Sequence, residues 1–199
     1  MSSTNRGYER HKTDYYVTPK HAVEDFLGAW LQDLSNEDEW NDICERPDRV
    51  MWLDPCAGGD ENHEMTYPSV LKEQFGVEAR TLDIREDSLA SEKVDYLEAD
   101  LVYAPTVIIT NPPFYLAKEI IEKALEDVRD DGYVVMLLRL NFFGSKARFP
   151  FFQEHLPERV YVHHRRFSFT DDGKTDSIEY MHAVWKKGAN PEYSKLKVI

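Results

Sequence analysis

Short apolar runs alternate with amphipathic stretches along the chain, and several of the runs end in a polar residue. "VMWLD" (50–54) ends at Asp54 and is followed by a glycine turn, "PCAGGD"; "EARTLDI" (78–84) is a second run, with Asp83 near its end. Between them "YPSVLKEQFG" (67–76) predicts a helix with Pro68 in its first turn and Gly76 as its stop. "VDYLEAD" (94–100) predicts a weaker strand and "TVIIT" (106–110) a fully buried one. "YLAKEIIEKALEDV" (115–128) carries Leu116, Ile120, Ile121, Leu125 and Val128 as a helical stripe. "GYVVMLLRL" (132–140) predicts the next buried strand. A short helix around "KARFPFFQEHL" (146–156) then leads to two strand-like runs, "ERVYVHH" (158–164) and "SIEYMHAVWKK" (177–187).

Buried strands with interleaved helices, then a late pair without a helix, imply a doubly wound, mostly parallel α/β sheet ending in an antiparallel hairpin. One domain over 15–187 accounts for the pattern, with 1–14 as a flexible N-terminus and 188–199 as a C-terminal tail. Ligands in such sheets sit at the carboxyl ends of the strands. The polar residues collect there: Asp54 after the first strand, Asp83 after the second, Asp100 after the third and Asn111 after the fourth.

Composition and charge narrow the picture. No stretch approaches eighteen apolar residues, and "MSSTNRGYERHKTD" lacks an apolar core, so neither a membrane span nor a signal peptide is expected and the expected location is the cytoplasm. Cys44 and Cys56 form no CxxC pair and the seven histidines show no HExxH spacing, so no metal is expected. The net charge of −13 argues against nucleic acid as a partner. Its distribution is uneven, however: between Arg139 and Thr170 six bases (Arg139, Lys146, Arg148, Arg159, Arg165, Arg166) face only Glu154 and Glu158, a local net of +4. That stretch is the candidate footprint for a polyanion.

The glycine turn after Asp54 is not GxGxxG, and no GxxxxGK[ST] is present, so folds that cradle a pyrophosphate fit poorly. A nucleoside cofactor without phosphates fits better: glycines let the backbone approach it, and an acid ending the second strand can accept both ribose hydroxyls. "DPCAGGD", "LDI", "EAD" and "NPPF", in that order, resemble the motifs of S-adenosylmethionine-dependent methyltransferases, specifically those that methylate amino groups of bases or protein amides. The resemblance implies a Rossmann-like methyltransferase sheet. It also implies a cofactor site of Asp54, Pro55, Ala57, Gly58, Asp83, Ile84 and the adenine-recognising Asp100, with S-adenosylhomocysteine as product. "YYVTPK" (15–20) resembles the YxTP segment of DNA adenine N6-methyltransferases and adds Tyr16 and Thr18. Unaided, that peptide equally suits an extended segment before a helix, with Thr18 as N-cap and Pro19 its first residue.

"NPPF" makes chemical sense for a target whose lone pair is delocalised into an aromatic ring. If the Asn111 side-chain oxygen and the Pro112 carbonyl accept hydrogen bonds from the exocyclic NH₂, the nitrogen moves toward tetrahedral geometry and its lone pair can address a methyl group. Pro112 and Pro113 stiffen the loop, and Phe114 offers a face for stacking. "RRFSFTDDGKTDS" (165–177) resembles the segment before the final hairpin of adenine-N6 enzymes. Phe169 best matches its aromatic and Phe167 is the alternative; either would also serve as a core phenylalanine. A flipped base costs a few kcal/mol to extrude, which stacking on Phe114 and Phe169 would offset, with Arg165, Arg166 and Lys174 beside the phosphates.

The expectation is therefore a DNA adenine N6-methyltransferase that flips its target base. Ribosomal RNA base methylation, at adenine N6 or guanine N2, is the first alternative; protein glutamine methylation and a non-catalytic DNA- or cofactor-binding module follow. Two features depart from the family pattern. Asp60 stands where the motif has a glycine and is followed by "ENHEM", and only about 50 residues separate the glycine turn from "NPPF", with no room for a separate target-recognition domain. Recognition would then come from short loops, from a homodimer, or hardly at all. The compact form resembles methyltransferases encoded by phages.

Overall fold

The computed structural model describes residues 16–36, 42–46, 49–169 and 175–199. Among them the strands are β1 (Trp52–Asp54), β2 (Arg80–Asp83), β3 (Glu92–Lys93), β4 (Val107–Thr110), β5 (Tyr133–Arg139), β6 (Arg159–Val162), β7 (Tyr180–Lys186) and β8 (Lys195–Val198). The helices are α1 (Lys20–Asn36), α2 (Asp42–Glu45), α3 (Thr66–Phe75), α4 (Ala117–Asp127) and α5 (Phe149–Glu154). The strands form one sheet in the order β3-β2-β1-β4-β5-β7-β6-β8. From β3 to β5 all neighbours are parallel; β7 runs antiparallel to both β5 and β6. This is the expected Rossmann-like, doubly wound and mostly parallel sheet, with the late pair β6 and β7 antiparallel.

Side chains alternate across a strand, so one strand feeds two cores. On β5, Val134, Met136 and Leu138 face the layer built by α4 (Ala117, Ile120, Ile121, Ala124) and Phe151 of α5. Tyr133 and Val135 face the opposite layer, where α1 supplies Phe26, Leu27, Trp30 and Leu34 and α3 supplies Tyr67, Val70 and Leu71. The glycine stop of α3 is realised: Gly76 has φ +67° and its N–H caps the Leu71 and Lys72 carbonyls.

Two elements differ from the sequence expectation. The strand expected over 94–100 does not form there: the strand at this edge, the two-residue β3, ends at Lys93, and Asp95 accepts a 3.0 Å hydrogen bond from Leu97 N–H and starts a 3₁₀ turn, Tyr96–Glu98. The segment expected as a tail contains β8, which pairs in parallel with β6 at the sheet edge. Its four residues are all exposed, so no buried face marks it in the sequence. Among the described residues no helix is long and apolar enough to cross a membrane.

Candidate functional site

β1 and β4 lie side by side, and the strand order runs outward from them in opposite directions, so their carboxyl ends open a crevice at the topological switch point. A hydrogen bond spans it. Thr110 Oγ1, at the end of β4, donates to Asp54 Oδ1 at 2.6 Å, and the Cys56 N–H donates to the same oxygen at 3.2 Å. The turn that follows takes φ +66° at Gly58 and +74° at Gly59, where L side chains are strained. A Cβ on Gly59 would also come within 2.8 Å of Met65 Cγ. Gly58 N–H donates to Asp83 Oδ2 at 2.8 Å, and the Arg85 guanidinium donates to the Gly59 carbonyl at 2.8 Å, so β2 holds the turn in place.

A cavity of about 250 Å³ occupies this crevice. Of the residues expected to hold a cofactor, Tyr16, Thr18, Pro55, Ala57, Asp83 and Ile84 line it, and so do Asn111 and Pro113 of the "NPPF" loop. Three others are placed differently. Asp54 is fully buried behind the turn and Gly58 supports the turn through its N–H; neither lines the cavity. Asp100 is exposed and away from it. The acid that lines the cavity from this segment is Asp95, together with Tyr96 and Leu97, because the chain leaves the sheet two residues after β3 begins.

The Asn111 amide is oriented by its surroundings. Its Nδ2 donates to the Tyr16 carbonyl at 3.3 Å and to Thr18 Oγ1 at 3.1 Å. A backbone carbonyl can only accept, which fixes the amide nitrogen on that side. Oδ1 is buried and has no hydrogen-bond partner among the described residues. The 16–18 segment is held in turn by Thr66 Oγ1, which donates to the Thr18 carbonyl at 2.9 Å. Thr18 thus bonds to the "NPPF" loop and lines the cavity.

Pro112 is buried and does not line the cavity. Phe114 sits in an aromatic cluster: its ring lies near-parallel to Tyr16 (24°, centroids 6.3 Å apart) and 5.9 Å from Tyr180, with the Arg139 guanidinium 4.4 Å from its centroid. Phe169 closes the cluster, edge-on to Tyr16 at 5.8 Å and to Tyr180 at 4.9 Å. It is half-buried and borders a second groove beside the cavity, with Thr18, Lys20, Asn62, His63 and Glu64. The "DENHEM" departure reaches both through Glu64 and gives Asn62 and His63 to the groove; Asp60 Oδ1 accepts from the Asn62 and His63 N–H groups and from His63 Nδ1, at 2.8 to 2.9 Å. Phe167 is different. It is 1 % exposed and stacked on Tyr180, a core residue with no face to offer a base.

The basic stretch is thinner at the surface than its sequence suggests. Arg159 is buried beside Glu158; Arg139 and Arg148 lie over the rings of Phe114 and Phe142. Lys146, Arg165 and Arg166 are exposed, and Arg166 approaches Glu179 at 3.6 Å. Lys174 lies outside the described residues.

Sequence reasoning missed a buried polar chain behind the cavity. Tyr67, which lines the cavity, shares a 2.9 Å hydrogen bond between its hydroxyl and His182 Nε2, and His182 Nδ1 shares one of 2.7 Å with His163 Nε2. Burial keeps both rings neutral: it brings His163 down to about 4 and His182 well below its ordinary value. Burial acts oppositely on Asp54, raising its carboxyl to about 7 against the Thr110 and Cys56 hydrogen bonds. Among the described residues no group of three or more His, Cys, Asp or Glu is placed to hold a metal.

No family model matches the chain, and no curated protein matches it in sequence. Solved structures match it in fold. A Listeria monocytogenes protein assigned as a class I S-adenosylmethionine-dependent methyltransferase superposes with a TM-score of 0.61 at 15 % identity over 92 % of this chain; the match spans 65 % of that protein. One from Pyrococcus horikoshii, assigned as an RNA methyltransferase, gives 0.64 at 16 % identity, over 93 % of this chain and 94 % of its own. The type IIG restriction endonuclease BpuSI gives 0.63 at 16 % identity over 97 % of this chain, which spans only 27 % of that enzyme.

Proposed function

We propose that the chain transfers a methyl group from S-adenosylmethionine to the exocyclic N6 of adenine in DNA. The observation that carries this reading is the Asn111 amide, held by its nitrogen with its oxygen left to accept. The cofactor supplies an electrophilic methyl on a sulfonium. Asp83 would accept from its ribose, Asp95 would take the adenine amine, and Ile84 and Leu97 would cover the adenine faces. The turn at 57–59, whose glycines let the backbone come close, would lie against the methionine end.

The target amine would enter over Asn111. With Asn111 Oδ1 and the Pro112 carbonyl both accepting, its lone pair is withdrawn from the ring and turned toward the methyl carbon. In the transfer the N–C bond would form as the S–C bond of the donor breaks, with S-adenosylhomocysteine as the product and the surplus amine proton passing to water. Neither acceptor need act as a strong base. Arg139 over Phe114 favours a neutral ring on that phenylalanine over a cationic amine, since like charges repel across an aromatic face.

RNA is the second reading. The small exposed basic footprint suits a short or structured target, and the Pyrococcus protein that matches over nearly its full length is assigned to RNA. Labelled S-adenosylmethionine offered with duplex DNA, single-stranded DNA, RNA and protein, followed by identification of the modified residue, tests both. N6-methyladenine in duplex DNA is expected; label confined to RNA would move the assignment there, and label confined to protein would end the nucleic-acid reading.

A further inference from the structure

Asp54 takes no part in the amine chemistry above, yet its setting is unusual for an acid. It is 0 % exposed at the end of β1, directly behind the turn that lines the cavity. Oδ1 accepts from Thr110 Oγ1 and Cys56 N–H, while Oδ2 has no partner. The titratable groups that face it are the Cys56 thiol in the turn, Asp83 at the end of β2 and the Tyr67 hydroxyl on α3, which His182 engages from β7. None of these is a cation, and Asp83 adds repulsion that its own pairing with Arg85 only partly offsets. Among the described residues, then, a buried carboxyl waits without a counter-charge beside a cavity proposed to receive a cationic ligand.

We infer that Asp54 distinguishes the sulfonium cofactor from its thioether product by charge alone, losing its proton to solvent when the sulfonium is seated and regaining one once the sulfur is neutral. The inference rests on the proposed cofactor. S-adenosylmethionine and S-adenosylhomocysteine carry the same nucleoside, ammonium and carboxylate, so any difference in their effect on a buried acid reports the sulfur charge. Burial brings the carboxyl to about 7, so its proton can be gained or lost near neutral pH. A unit positive charge seated across the turn, in an effective dielectric of about 20, would lower the carboxyl by about one to two pH units. Such a change favours the charged ligand increasingly as pH rises, and the advantage saturates once Asp54 is ionised in the free enzyme as well.

The experiment is titration calorimetry of each ligand at pH 7 in two buffers of different ionisation enthalpy, which counts the protons released. S-adenosylmethionine should release about 0.4 proton more than S-adenosylhomocysteine, and its affinity relative to the product should rise about 5- to 10-fold between pH 6 and pH 8. Asp54→Asn keeps an oxygen for Thr110 and Cys56 but cannot ionise; in that variant the proton counts should be equal and the affinity ratio flat with pH. Equal counts in the wild type, or a difference that survives in Asp54→Asn, would overturn the inference. If the variant fails to fold, the wild-type counts and pH series decide alone. Binding of neither ligand to the wild type would overturn the cofactor reading and this inference with it, an outcome distinct from two ligands that bind with equal proton counts.

Discussion

Replacing Asn111 with alanine removes three things at once: the donor to Tyr16, the donor to Thr18 and the unpartnered oxygen. The first two are structural. Each is a half-buried hydrogen bond to a neutral acceptor, contributing about 0.5 to 1.5 kcal/mol, so the 16–18 segment would lose about 1 to 3 kcal/mol of its attachment to the loop. The third is chemical, and loss of one pre-positioned acceptor lowers turnover about 10²- to 10³-fold. Asn111→Asp separates the two effects, because it keeps acceptors at the amine but turns an oxygen against the Tyr16 carbonyl. Turnover should therefore rank wild type, then aspartate, then alanine, with cofactor affinity falling less than 10-fold in either variant. Single-turnover methylation with labelled cofactor, alongside calorimetric binding, measures both quantities. An alanine variant that turns over at the wild-type rate, or an aspartate variant slower than alanine, would refute the role given to the amide oxygen.

Further outcomes follow from the geometry. Asp95→Asn should weaken binding of the free nucleoside as well as of the whole cofactor, while Asp100→Asn leaves both unchanged; calorimetry with adenosine and with S-adenosylhomocysteine compares them. Phe167→Ala empties a core position and should cost about 3 to 5 kcal/mol of stability by urea denaturation. Phe169→Ala should cost less stability, and should depress methylation of paired DNA more than of mismatched DNA, where part of the flipping cost is already removed. Because burial holds His163 below its ordinary 6.5, at about 4, the unfolded chain binds its proton first and stability should fall as pH drops from about 6.5 toward 4. Asp54, raised from 3.8 to about 7, acts in the reverse sense over nearly the same range, so urea midpoints of Asp54→Asn should fall more steeply with acid than those of the wild type.

What could be read from the sequence was whatever local pattern alone dictates. Buried strands ending in Asp54, Asp83 and Asn111 announced themselves by apolar runs closed by a polar residue, and the crevice lies where those ends meet. Asp95 rather than Asp100 lines the cavity; both follow apolar residues, and what separates them is a side-chain-capped 3₁₀ turn that five residues of sequence do not signal. Phe167 and Phe169 sit two apart on an irregular segment, where no period says which ring faces inward. Arg159 reads as surface charge until its place in β6, opposite Val184 of β7, shows it buried. The histidine chain joins residues 19 and 115 positions apart, a separation at which no spacing rule operates.

That chain also sets how the protein comes apart. His182, on β7, stacks on Phe26 of α1 with centroids 4.2 Å apart, while its two nitrogens engage Tyr67 of α3 and His163, the residue just after β6. Four segments from opposite ends of the sequence thus meet at one imidazole: α3, β7 or the end of β6 cannot leave without stranding a polar atom in an apolar interior, and α1 cannot leave without uncovering the ring. Local opening of the final hairpin is then not a local event. Amide protons of α1, α3, β6 and β7 should exchange with solvent as a single unit, through the same opening that exposes the floor of the cavity, so a ligand seated there would slow exchange in a hairpin it never touches.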